Sequence, residues 1–343
     1  MPVRGGNPAP VIGRRSFLGL AAAIAMWPSA AQAQQRRYKV GFANLTEDPG
    51  VRFEGLGFTA TDVRTSVALA ARARPLDMVY YDNDRNRAKT LANADDAIAR
   101  KLDLYIQYCD DAAANAEIGK RMKEAGIPVL AINYPVPGSP FYGADNMLAG
   151  RLAGDALVKF AATAWRGEQV TAVIVGDLAN AGDHVPERAE GISTALKAAT
   201  PPIAETKLDS GGNPAQADAL LRRYVAAHTT GKLLIAALDD TTALTAKATV
   251  EAANRALDTA IASQGCDRSV HGGANDKKEI DPTNRGSILI GSVAYLLDRY
   301  GYEVLPLAMK MLAGEPIPPR TTTRHLLVTA ANVFHVYPPI DMN

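Results

Sequence analysis

The sequence predicts an α/β protein of two Rossmann-like lobes, each a parallel sheet flanked by helices, with more than one chain crossing between them. Three observations predict it. Apolar runs of strand length alternate with helix-length amphipathic stretches almost without interruption, and that alternation makes parallel sheets covered on both faces. The alternation pauses near residue 143 and then restarts, so the whole pattern occurs twice. A last helix and strand follow after a fourth strand of the second block has already appeared, which predicts that part of the C-terminal region returns to the first lobe. A chain of 343 residues has room for two such lobes.

The N-terminus is set apart from this pattern. Arg14 and Arg15 precede the apolar run "SFLGLAAAIAMW", which is too short to span a bilayer, and "PSAAQAQ" then offers an A-x-A cleavage site at Ala31, Gln32 and Ala33. This reads as residues 1–33 being a signal peptide cleaved after Ala33, and "GRRSFLGL" has the look of a twin-arginine export signal. Removing its three arginines takes the net charge from +1 to −2, so no polyanion-binding surface is implied and nucleic acid is not an expected partner. No later stretch is long and apolar enough to cross a membrane.

The elements of the first block follow in order. "YKVGFANL" is a strand, and a long helical stretch is predicted from Val51 to Ala73. "LDMVYYD" is the next strand, followed by a helix from Arg85 to Arg100 in which Ala88, Leu91, Ala92, Ala94 and Ile98 recur at helical spacing. "LDLYIQY" precedes a helix from Ala112 to Ala125, closed by Gly126 with Pro128 beyond it, and "IPVLAINY" completes the block.

The stretch "FYGADNMLAGRLAGDAL" (141–157) then intervenes. Gly143 reads as a joint, Asp145 or Asn146 as a helix cap, and Leu148 and Leu152 as core-facing. Gly150 and Gly154, one turn apart on one face, favour close helix packing. The second block repeats the alternation: strands "QVTAVIVGD", "PIAETKLDS", "KLLIAALDD", "DTAIASQG" and "GSILIGSVAY", with helices from Val185, Pro214 and Thr241. A helix from Tyr302 to Ala313 and the strand "TRHLLVT" end the chain. The predicted lobes are 38–143 plus 296–323 and 144–295 plus 324–343.

Enzymatic signatures are missing. There is no G-x-x-x-x-G-K-[ST], no G-x-G-x-x-G opening a helix after a strand, and no G-x-S-x-G. "GLGFTA" (55–60) has two glycines but falls inside the predicted first helix. The histidines are not spaced as metal ligands, and Cys109 and Cys266 each follow a strand of their own, so neither a metal, a cofactor nor a disulfide is expected.

In open parallel sheets ligands bind beyond the carboxyl ends of the strands. Those ends carry Asp48; Tyr108, Asp110 and Asp111; Asn133 and Tyr134; Asp177 with His184; Asp209 and Asn213; Asp239 and Asp240; Asp267; and Tyr295. Carboxylates and amides grip neighbouring hydroxyls with paired hydrogen bonds, and tyrosine faces stack on sugar rings, so the set suits a neutral polyhydroxy ligand. Asp110, Asp111 and Asp177 read better as helix caps, one of Asp239 and Asp240 is expected to cap and the other to be unengaged, and Asn133 and Asp267 read as ligand contacts.

With these stretches in place the sequence resembles the periplasmic sugar-binding proteins of the ribose-binding type, the type I periplasmic binding proteins that serve ABC importers. The resemblance covers nearly all of the chain beyond the export segment. "EAGIPVLAINY", "GADNMLAGRLAGDAL", "ERAEGISTAL", "AALDDTTALTA" and "MLAGEPIPPRTTTRHLLVTAANV" carry it by their order and spacing. It implies a three-strand hinge, a ligand trapped between the lobes by closure, and Asp48, Asn133, Asn213, Asp239, Asp267 and Tyr295 as cleft residues.

This sequence departs from the family where Gly50 and Val51 follow Pro49 in place of an aromatic pair. It departs again where Asn133-Tyr134 replaces an Asp-Arg pair, and where Pro186 replaces an arginine, leaving Arg188 as the nearest guanidinium. Tyr108, Tyr134 and Tyr295 are then the expected stacking surfaces. The implied function is that of a monomeric periplasmic solute-binding protein that delivers a sugar or polyol to an inner-membrane ABC permease. A ligand sensor subunit feeding a chemoreceptor or sensor kinase is the alternative, and an exported α/β enzyme a more distant one.

Overall fold

The computed structural model describes residues 36–178, 185–272, 278–284 and 286–338; the predicted export segment and His184 lie outside them. Strands β1 (Tyr38–Asn44), β2 (Leu76–Asp82), β3 (Leu104–Tyr108), β4 (Val129–Ile132) and β5 (Phe141–Gly143) come from the first block. β6 (Val170–Gly176), β7 (Ala204–Asp209), β8 (Lys232–Ala237), β9 (Thr259–Gly265) and β10 (Leu289–Ala294) come from the second, and β11 (Arg320–Thr322) and β12 (Leu326–Val328) close the chain. They form two sheets, ordered β11-β5-β4-β3-β1-β2 and β12-β10-β9-β8-β6-β7. The expected two-lobed α/β architecture is therefore present.

Helices α1 (Ala60–Arg72), α2 (Arg87–Ala99) and α3 (Ala112–Glu124) connect strands of the first sheet. α4 (Asn146–Ala164), α5 (Val185–Ala198), α6 (Pro214–Ala227), α7 (Asp240–Ala252) and the single turn α8 (Arg268–His271) belong to the second block. α9 (Tyr300–Leu312) packs against α1, and the short α10 (Val333–Val336) follows β12. Strands β3, β4 and β9 are buried at every residue because helices cover both faces. Several helices start on a capping side chain just past a strand end. Asn86, Asp111, Asp145, Asn213 and Asp239 each accept a backbone N–H of the first turn.

Five local expectations need correction. The helix predicted over 51–73 begins only at Ala60, where Thr59 and Asp62 form a reciprocal capping box. Upstream, Phe53–Gly55 is a single 3-10 turn with Glu54 in the left-handed region (φ 57°), so "GLGFTA" spans a loop and a helix start. β5 and β11 escaped the sequence pattern because each is only three residues long; they pair in parallel, with β11 at the sheet edge. β12 runs antiparallel to β10, so the second sheet is not purely parallel. Leu148 is 42% exposed and does not face the core, whereas Leu152 packs against it.

The chain passes between the sheets between β5 and α4, between β10 and α9, and between β11 and β12. These segments are bonded together: Thr323 N–H donates to Gly143 O at 2.9 Å. On the second lobe α4 and α5 approach very closely. A Cβ built on Gly150 would overlap the carbonyl of Arg188, and one on Gly154 would sit 2.6 Å from the Ala195 methyl. Small residues at this spacing therefore do pack two helices together.

Candidate binding cleft between the lobes

Arg188 organises the second lobe's side of the cleft. Its side chain extends from α5 into the interior and is 2% exposed. Nε and Nη2 donate to Asn146 Oδ1 at 3.1 and 3.0 Å, Nη1 to Leu238 O at 3.0 Å, and Nη2 also to Glu54 O at 3.2 Å. The guanidinium carbon lies 4.8 Å from the centre of the Tyr295 ring, a cation–π contact. Tyr295 Oη in turn lies 2.9 Å from Asn146 Oδ1 and 3.1 Å from Gln264 Oε1. A buried guanidinium needs its donors matched, and here amide and carbonyl oxygens take four of its five N–H groups.

On the first lobe the strand ends present Tyr108 and Asn133. Asn133 sits at φ 55°, a conformation that asparagine tolerates better than most residues. Its Nδ2 donates to Glu54 Oε1 and to Tyr108 Oη, both at 3.0 Å, and its Oδ1 accepts from Tyr300 Oη at 3.1 Å. Tyr108 O–H donates to Glu54 Oε1 at 2.6 Å. The Tyr108 ring meets Phe53 edge-on at 5.2 Å and lies 6.2 Å from the half-buried Tyr134. Burial pushes the Tyr108 and Tyr300 hydroxyls well above the ordinary tyrosine range, so both are neutral donors.

The acids at the end of β8 and β9 are held by their own lobe. Asp239 Oδ1 accepts Thr242 N–H at 2.8 Å and Oδ2 accepts the Thr242 hydroxyl at 2.6 Å; burial raises its pKa. Asp240, expected to be unengaged if Asp239 is the cap, accepts the hydroxyls of Ser263 (2.5 Å) and Ser292 (2.7 Å) and the backbone N–H of Asp267 (2.8 Å). Burial, reinforced by the neighbouring Asp267, drives the Asp240 carboxyl well above the usual range. Asp267 Oδ1 accepts the N–H and hydroxyl of Ser269 at 2.7 and 2.5 Å.

Two cavities open along this interface. One, of about 310 Å³, is lined by Glu54, Asn133, Phe141, Asn146, Glu187 and Arg320 among others. The second, of about 260 Å³, is lined by Arg52, Gly57, Asp177, Arg188, Asp239 and Thr241 among others. Of the residues singled out in the sequence, Tyr108, Asn133, Arg188, Asp239, Asp267 and Tyr295 thus lie at or beside the interlobe space. Asp48 is exposed and accepts Gly50 N–H at 2.8 Å in a turn, and Asn213 is exposed as the cap of α6. Glu54, Asn146, Gln264, Glu187 and Arg320 went unrecognised. Asn146 alone had a signal, as the alternative cap; Glu54 was hidden inside the over-long helix.

Residues 57–316 match the family described as periplasmic binding protein domain, which is most of the chain. The chain belongs to this family. Solved structures agree in architecture. An ABC transporter solute-binding protein from Mycobacterium smegmatis, with bound glycerol, aligns at TM-score 0.65 and 20% identity over 87% of this chain and 96% of that one. One from Actinobacillus succinogenes 130z, with bound D-allose, aligns at 0.66 and 16% over 87% and 100%. The fructose-binding periplasmic domain of a hybrid two-component system aligns at 0.63 and 19% over 88% and 93%. At these identities the likeness establishes the fold. No curated protein matches the sequence. In this periplasmic binding protein domain, the described residues contain no group of three or more potential metal ligands, and no helix of theirs is long and apolar enough to cross a membrane.

Proposed function

We infer that the chain is the solute-binding component of an ABC importer, holding a sugar or polyol between its lobes and releasing it, unconverted, to an inner-membrane permease. The observation that carries this reading is the convergence, from two separate lobes, of Tyr108, Asn133, Arg188 and Asp239 on the interlobe space joined by three chain segments. Ligand contacts from both lobes favour the closed form, and closure is what a permease reads. Glycerol and D-allose in structurally similar proteins support the ligand class. The reading includes export to the periplasm with cleavage after Ala33, lobes of 38–143 plus 296–323 and 144–295 plus 324–343, and a monomeric state.

A thermal-shift panel of sugars, polyols and amino acids, followed by chromatographic recovery of the ligand, tests it. A polyol or sugar should raise the melting temperature and be recovered unchanged. A shift confined to amino acids, or recovery of a converted product, overturns it. The sensor reading has one specific support, the resemblance to the periplasmic domain of a two-component system. Ligand-dependent co-purification with a membrane histidine kinase rather than a permease would favour it.

A further inference from the structure

Residues 52–58 leave the carboxyl side of β1, enter the space between the lobes, and return to start α1. They are anchored as core: Phe53, Leu56 and Phe58 are each no more than 4% exposed. Their contacts reach both lobes. Towards the first lobe, Glu54 Oε1 takes hydrogen bonds from Tyr108 O–H and Asn133 Nδ2. Towards the second, Glu54 O accepts from Arg188 Nη2, and Leu56 lies against Gly265. Gly57 is pressed so closely on the Asp267 carboxylate that a Cβ there would overlap it. The polar groups that a cleft would offer to a solute are, in this chain, already engaged by the chain's own atoms. The same segment lines both cavities described above.

We propose that residues 52–58 are an internal occupant of the cleft, which holds the lobes closed without a ligand and which an incoming ligand displaces, with Glu54 as the group it competes against. The displaced groups define the replacement. Tyr108 O–H, Asn133 Nδ2 and Arg188 Nη2 are all donors, so the ligand supplies acceptor oxygens, as polyol hydroxyls do. Withdrawing the segment also joins two small cavities into one. Self-closure is a property of the chain alone; displacement rests on the solute-binding reading. In that case the apparent affinity is reduced by the fraction of molecules whose cleft is already filled.

Small-angle scattering of the purified chain without added ligand, beside Glu54→Ala and Gly57→Val, tests self-closure, with circular dichroism confirming that each variant is folded. The unmodified chain should scatter as the closed form, and both variants should shift to a larger radius of gyration. If Gly57→Val does not fold, Glu54→Ala, which only removes atoms, decides. A chain already open without ligand, or a folded Glu54→Ala as compact as the parent, overturns the proposal. Calorimetric titration with glycerol, D-allose and myo-inositol tests displacement: Glu54→Ala should bind the responding polyol about tenfold more tightly. Equal or weaker binding overturns displacement, since Glu54 would then be a bystander or a ligand contact. If no polyol binds any variant, the solute-binding reading fails instead, and scattering still decides self-closure.

Discussion

His325 Nε2 accepts a hydrogen bond from the backbone N–H of Asp145 at 3.0 Å, across 180 residues of sequence. The other ring nitrogen lies 3.0 Å from Ala294 O, which fixes the tautomer with the proton on Nδ1. Asp145, Ala294 and His325 border the three segments that cross between the sheets, so one imidazole ties all three together. Burial lowers the pKa of this histidine from its ordinary 6.5. Protonation would set an N–H against the N–H of Asp145.

The unfolded chain therefore takes up this proton at higher pH than the folded one. Stability contributed by the neutral ring is complete above pH 6.5 and declines as pH falls from there through the lowered folded value. His325→Phe should melt earlier at pH 7.5, by about 2 kcal/mol, because it leaves a buried donor and acceptor unmatched. The gap between parent and variant should narrow on acidification. A pH series of melting curves checks both; a gap that does not change with pH would remove the hinge histidine from the account.

Arg188→Met keeps most of the side-chain volume and strips the donors from Asn146 Oδ1, Leu238 O and Glu54 O. The expected loss is about 3 kcal/mol, read from the urea midpoint at an unchanged slope. Arg188→Lys should stay closer to the methionine variant than to the parent, since a single ammonium cannot reproduce the planar fork.

Gly150→Ala inverts the usual helix rule. Propensity alone predicts a gain of about 1 kcal/mol for alanine in a helix. Here the new methyl would collide with the Arg188 carbonyl, so a net loss of about 2 kcal/mol is expected. A stabilised variant would show that α4 and α5 separate at little expense.

Asp240 behaves oppositely to His325. Its folded pKa is raised, so the folded state holds the proton longer, and its contribution to stability falls as pH rises above the ordinary 3.8 towards the folded value. Asp240→Asn cannot ionise, and its amide can still face Ser263 and Ser292. Its melting temperature relative to the parent should rise between pH 4 and pH 7, approximate limits chosen to bracket that titration. A constant difference would mean that the carboxyl ionises normally.

The structure shows Asp239 as the cap of α7, and the proposed function adds a ligand contact to that role. Asp239→Ala removes the cap of α7 and should lower stability by about 1 kcal/mol, besides reducing any polyol-induced thermal shift. Asp239→Ser restores a cap without the carboxylate. It should recover the stability but not the ligand-induced shift; recovery of both would show that the carboxylate has no part in binding.

The two lobes, the order of their longer strands along the chain and the caps at Asp111, Asp145 and Asp239 were legible in the sequence because they depend on local chemistry, whereas Asp110, expected as a cap, pairs with Arg85 instead. Period-two and helical apolar patterns, Gly126 after a helix, and an Asp or Asn just past a strand end each act within a few residues. "YCDD" became the end of β3 and the Asp111 cap of α3 for that reason. Only the tertiary structure decided what fills the cleft. Phe53, Leu56 and Phe58 fell inside the over-long predicted helix, while their actual partners include Tyr108 of the first lobe and Gly265 of the second. Asn146 became a buried acceptor through Arg188, 42 residues away, and Tyr295, 149 residues away. Hydrogen bonds of that range carry no local periodicity. Which strand-end acids face the interlobe space, and which are consumed as caps, was settled by how two sheets and three crossing segments close on one another.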